Sequence, residues 1–106
     1  MEFDITPPAD CRTMAEVRAG VDSLDRLLVE LLAERFRYMD AASRIKTERG
    51  AVRDESRKAQ VIANVADHAR ELGVPIDLVT DLWERLIEGS IAYELDRFDR
   101  APAATG

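Results

Sequence analysis

The chain has 106 residues, a formal charge of −6, 46% hydrophobic and 34% charged residues, which fits one domain able to bury a core. The acidic balance excludes generic attraction to nucleic acid or to an anionic membrane surface. No apolar run approaches the roughly 18 residues of a membrane span. Met1-Glu2-Phe3-Asp4 begins acidic rather than as a basic leader, so cytoplasm is the expected compartment.

Residues 1–12 form an N-terminal arm, in which Pro7-Pro8 predicts extended chain from residue 3 onwards. Cys11, in that arm, has no cysteine to pair with and no histidine near it, so it implies neither a disulfide, a zinc site nor a catalytic dyad. Thr13-Met14-Ala15-Glu16 is a capping box that opens a helix. Val17, Val21, Leu24, Leu28, Leu31, Met39, Ala42 and Ile45 then recur at spacings of three and four, predicting a helix to about residue 47 with Gly50 as its stop. About 35 helical residues make a rod of roughly 52 Å. A compact domain of this length has a radius of gyration of only about 13 Å. Such a rod overhangs a three-helix monomer, and pairing two of them across a two-fold axis would cover the overhang. A break near Gly20 that folds the helix back is the alternative.

Asp54 is placed to cap a second helix, which buries Val61, Ile62, Val65, Ala66, Ala69 and Leu72 and ends at Gly73. His68, in Asp67-His68-Ala69-Arg70, reads as a solvated surface residue. Pro75 opens a third helix with a stripe of Val79, Leu82, Trp83, Leu86, Ile87, Ile91 and Leu95. Residues 13–100 thus read as one all-α domain of three helices, and 101–106 as a flexible tail. No segment alternates long enough to be a strand.

Charged residues interrupt these apolar faces. Between Arg35 and Lys58 there are eight cations (Arg35, Arg37, Arg44, Lys46, Arg49, Arg53, Arg57, Lys58) and four anions (Asp40, Glu48, Asp54, Glu55), which a salt-bridged helix face would also explain. Arg35 and Lys46 fall on the stripe of the first helix, close to three turns and about 16 Å apart. Buried unpaired cations are costly, so an anion is expected between them, either a ligand or a carboxylate such as Glu94. On the third helix Ser90 and Glu94 continue the stripe of Trp83 and Ile87. A glutamate among such neighbours is expected to favour its protonated, hydrogen-bond-donating form, unless it pairs with Lys46 or Arg97. Arg18 lies about 25 Å before Arg35 on another azimuth, so it can share a ligand only with an antiparallel partner chain's Arg35. Arg57, in the first turn of the second helix, lies near a loop through 48–53 that could cap a pocket. Together these residues suggest a pocket for a small di-acid and no particular reaction.

At these positions the sequence resembles the all-helical chorismate mutase family. The segments concerned are Val17-Arg18 with Asp22-Ser23-Leu24-Asp25, Leu32-Ala33-Glu34-Arg35, Ala41-Ala42-Ser43-Arg44-Ile45-Lys46, and Val52-Arg53-Asp54-Glu55-Ser56-Arg57. The likeness extends over about residues 13–97. It is nearest to the isochorismate pyruvate lyase branch, which shares a Pro-rich start, an Asp10-Cys11-like dipeptide and an Ala-Ala-Ser-Arg-x-Lys run.

The resemblance implies an intertwined homodimer with two equivalent sites and catalysis without cofactor, metal or covalent intermediate. It assigns the substrate carboxylates to Arg35 and the partner chain's Arg18. Lys46 and Glu94 would act catalytically as donors to the ether oxygen, Arg57 would help hold a carboxylate, and Ser90 would line the pocket. Two residues depart from the pattern. Many members have glutamine in place of Glu94, which can donate only when protonated, so activity is expected to fall with rising pH. Lys58 stands where mutases usually place a glutamate that meets the ring hydroxyl, which weakens recognition of chorismate and keeps isochorismate open. Chorismate rearrangement is thus the first expectation and pyruvate elimination from isochorismate the second. A non-enzymatic helical interaction module would explain the long helix but not the charged interruptions. A helix-turn-helix DNA binder has the wrong charge.

Overall fold

A computed structural model describes residues 5–101. The start of the predicted arm and all but the first residue of the predicted tail lie outside the described residues. Within them the chain is all-helical, with α1 at Met14–Ile45, α2 at Glu55–Leu72 and α3 at Ile76–Arg100. It divides into two units, residues 1–37 and 38–106, with the boundary falling inside the continuous helix α1.

In the first unit the capping box forms as its sequence dictates. Glu16 Oε1 accepts the amides of Arg12 at 2.6 Å and Thr13 at 3.0 Å, while the Glu16 amide donates to Thr13 Oγ1 at 3.2 Å. The Arg12 amide, followed by that of Thr13, holds the Glu16 carboxyl below its usual pKa. The arm is not wholly extended. Pro8–Asp10 makes a single 3-10 turn, because Pro8 has its φ preset and no amide to satisfy at the turn's first position. Ahead of it, Ile5 reaches α1 beside Gly20, and Thr6 Oγ1 donates to Glu16 Oε2 at 3.5 Å. Gly20 does not break the helix: one glycine costs only about 1 kcal/mol, and its neighbours are good helix formers. The stripe, however, is uncovered. Val21, Leu24, Leu28 and Leu31 are all exposed, with Leu24 at 59%, and no residue of α1 is buried.

In the second unit α1 ends at Ile45, short of the expected residue 47, and Gly50 is not its stop. The Lys46 amide makes the last helical bond, to Ala42 O at 2.9 Å. Glu48 is extended and Arg49–Ala51 forms a 3-10 turn in which Gly50 has no left-handed conformation. That turn packs on α3, and Val52 beside it is 4% exposed, so the stretch 48–53 is anchored by an apolar side chain. Asp54 caps α2 by accepting the Arg57 amide at 3.0 Å.

Gly73, at φ 75°, closes α2. Its amide bonds Arg70 O and the Val74 amide bonds Ala69 O, the Schellman pairing that needs a left-handed residue. A connection this short turns α3 back along α2, and the two helices pack together. Ala69, Ile87 and Val52 are the buried hydrophobics. Leu72 and Leu82, expected inside, are exposed, since they lie on helix faces that neither helix covers. His68 lies on the surface beside Glu71. Among the described residues no helix is long and apolar enough to cross a membrane.

Candidate active site

The buried polar residues of the second unit are Ser90 and Glu94, each 4% exposed, on the same α3 face as Ile87. Lys46 follows the last turn of α1, and its Nζ stands 2.8 Å from Glu94 Oε2, with the lysine side chain 30% exposed. The structure thus joins two of the sequence-predicted residues, and Lys46 rather than Arg97 is the partner of Glu94. The approach to Oε2 lacks hydrogen-bond alignment, so this buried oxygen has an ionic neighbour but no hydrogen-bond partner. Such an atom is costly inside a protein unless something further engages it. Ser90 Oγ donates to Leu86 O at 2.7 Å, which keeps the hydroxyl on its own helix beside the pair.

The other predicted residues lie on α1 and in the first turn of α2. Arg57 is exposed in the first turn of α2 and bonds Gln60 on the same helix. Arg35 is half-buried and Arg18 exposed, both on the part of α1 that belongs to the first unit. Among the described residues no group of histidine, cysteine, aspartate and glutamate could hold a metal ion.

Two polar networks flank these residues and escaped the reading of the sequence. In the first, Lys58 Nζ meets Glu84 at 2.8 Å and Glu88 at 2.7 Å, while Arg53 grips the same Glu88 at 2.6 Å and Glu55 at 2.9 Å. Arg53, and then Lys58, hold the Glu88 carboxyl down to a pKa of about 2. Glu84, and then Glu88, raise that of the Lys58 ammonium. The step of four between Glu84 and Glu88 was visible, but nothing local pointed it at residues 53 and 58. In the second network, Asp40 Oδ1 accepts the Tyr93 hydroxyl at 2.8 Å and lies 3.3 Å from Arg97 Nε.

The chain is thus of the all-helical class, with an ammonium–carboxyl pair set into the apolar face of its third helix. Comparison with known proteins narrows the class. The profile of the chorismate mutase type II family matches residues 17–95. An isochorismate pyruvate lyase of Pseudomonas aeruginosa is 32% identical over 88 residues, covering 83% of this chain and 87% of that protein. The T-protein of Enterobacter agglomerans is 31% identical over 85 residues, 79% of this chain. That of Haemophilus influenzae is 27% identical over 82 residues, 76% of this chain. The chain spans only 23% and 22% of those two T-proteins. The chain belongs to the chorismate mutase type II family and is an enzyme.

Proposed function

We propose that the protein rearranges chorismate to prephenate as an intertwined homodimer, with residues 13–100 as the catalytic domain and 1–12 as an arm. No cofactor or metal takes part. Arg35 and Arg18 of the partner subunit grip the two substrate carboxylates, since guanidinium forks fix orientation as well as charge. Arg57 assists with a carboxylate and Ser90 lines the cleft. Within the bound conformer the ether C–O bond breaks as the new C–C bond forms, and negative charge grows on the ether oxygen. Lys46 donates to that oxygen from one side and Glu94 acts on it from the other, so both favour the transition state over the ground state. The observation that carries this reading is the half-buried Lys46 ammonium 2.8 Å from the buried Glu94 carboxyl on an otherwise apolar face. The exposed stripe of α1 supports the dimer, because a contiguous apolar face of that extent is normally covered.

Elimination of pyruvate from isochorismate is the second reading. The Pseudomonas aeruginosa relative favours it, as does Lys58, a cation tied to Glu84 and Glu88 where mutases usually place an acid. Incubating the purified protein separately with chorismate and isochorismate, and assaying prephenate and salicylate in both, separates the two. Faster prephenate formation is expected; faster salicylate formation selects the lyase, and turnover of neither substrate overturns both. Glu94→Gln, which keeps a hydrogen-bond donor at this position, is expected to retain turnover, and Glu94→Ala to lose most of it. A Glu94→Ala variant as active as the wild type would remove Glu94 from the catalytic pair.

A further inference from the structure

The donor pair depends on where the end of α1 stands along α3, and ion pairs of Arg49 and Asp40 with α3 hold that placement. Arg49 pairs with Asp99 at 2.9 Å and 3.2 Å, but it follows Lys46 through non-helical, partly extended backbone, and both side chains are about half exposed. That tie is slack and screened by solvent. Asp40 precedes Lys46 by six residues, roughly 9 Å along α1 to its end at Ile45, where the Lys46 amide is bonded to Ala42 O, so a shift at Asp40 is passed to the Lys46 backbone. Its Oδ1 takes two groups that bracket Glu94 on α3: the Tyr93 hydroxyl at 2.8 Å and, more distantly, Arg97 Nε at 3.3 Å. Tyr93 and Arg97 are themselves locked together, the guanidinium lying 5.0 Å over the ring. The short, part-buried Tyr93 bond to a charged acceptor carries more of the tie than the half-exposed Arg97 contact.

We propose that Asp40 is a positioning residue for the donor pair: by holding Tyr93 and Arg97 on one carboxylate oxygen, it sets the register of α1 on α3 and so the place of Lys46 Nζ against Glu94. It touches no substrate. The inference rests on Lys46 and Glu94 acting as the donors of the reaction proposed above.

Misplacement of a catalytic group by about 1 Å costs on the order of a hundredfold in rate. Asp40→Ala is therefore expected to lower kcat by about ten- to a hundredfold, with any rise in KM smaller than that loss, because the donor pair is the group the tie holds directly. Asp40→Asn, which keeps an acceptor for the Tyr93 hydroxyl, should recover most of the loss. Tyr93→Phe, which removes one hydroxyl and serves if Asp40→Ala fails to fold, should fall between wild type and Asp40→Ala. Circular dichroism and sedimentation establish equal folding and assembly for each variant. An unchanged kcat in folded Asp40→Ala, a rise in KM alone, or an Asp40→Asn no better than alanine would overturn the inference. A crystal structure of Asp40→Ala gives a readout independent of turnover: the Lys46–Glu94 separation should open from 2.8 Å to beyond hydrogen-bond reach, and an unaltered pair refutes the proposal. If the wild type turns over neither substrate, the functional reading fails by itself, and this distance alone decides the role of Asp40.

Discussion

Residues 5–37 and residues 38–101 handle their apolar and charged side chains in opposite ways. In the first stretch the arm is tied to the first turns of α1, and the leucines from Leu24 to Leu31 stay exposed. In the second, Val52, Ala69 and Ile87 are buried, and ion pairs reach across 26 to 50 residues of sequence. The second stretch is stabilised by its own long-range contacts, whereas the first presents an apolar surface that stays uncovered. Regular secondary structure alone does not distinguish the two, since α1 is one unbroken helix through both.

If the first stretch depends on a partner, charged substitutions there should have the greatest effect. Leu24→Asp combined with Leu28→Asp is expected to convert the dimer to monomer and to abolish turnover, as seen by sedimentation and by either substrate assay. A dimer that survives would show that the stripe is not the interface. Arg35→Ala comes next. It should lower kcat/KM by about a hundred- to a thousandfold while leaving the melting curve and the assembly unchanged, as expected when a carboxylate clamp is removed. A change in stability instead would make Arg35 structural.

The second stretch should respond to its own core. Ile87→Ala is expected to cost about 2–5 kcal/mol in a denaturant titration, the range for a buried aliphatic truncated to alanine. A smaller loss would mean that α2 and α3 are held mainly by their charges.

The smallest effect expected is electrostatic. Glu88 has a pKa near 2 in the folded chain against 4.5 ordinarily, so its contribution to stability is present above 4.5 and is lost as pH falls from there through about 2. Glu88→Gln should therefore flatten the acid limb of the stability curve between those values. Added salt should weaken the effect, because the side chain is 40% exposed. An acid limb unchanged by the substitution would show that the network contributes nothing to folding.

Much of the fold was legible because its signals are local. Thr13 and Glu16, Asp54, and Gly73 each dictate a helix end through bonds made within a few residues, and all three form. The Gly50 stop failed for the converse reason: the chain after α1 is held by tertiary contacts of Lys46 and the Arg49–Ala51 turn with α3, which periodicity does not report. Lys46 and Glu94 stood out as charges on apolar stripes, and their pairing is real. Asp40, Tyr93, Arg53 and Glu88 lie at positions where a polar residue is ordinary, so only the register of α3 against its neighbours reveals them.

In the proposed dimer each site is assembled from two chains, with Arg35 from one and Arg18 from the other. Co-refolding inactive Arg18→Ala chains with inactive Arg35→Ala chains tests it directly. Each mixed dimer would hold one site with both arginines and one with neither, so random pairing should restore about a quarter of wild-type turnover. A mixture no more active than its two components, with mixed dimers demonstrably present, would contradict the account.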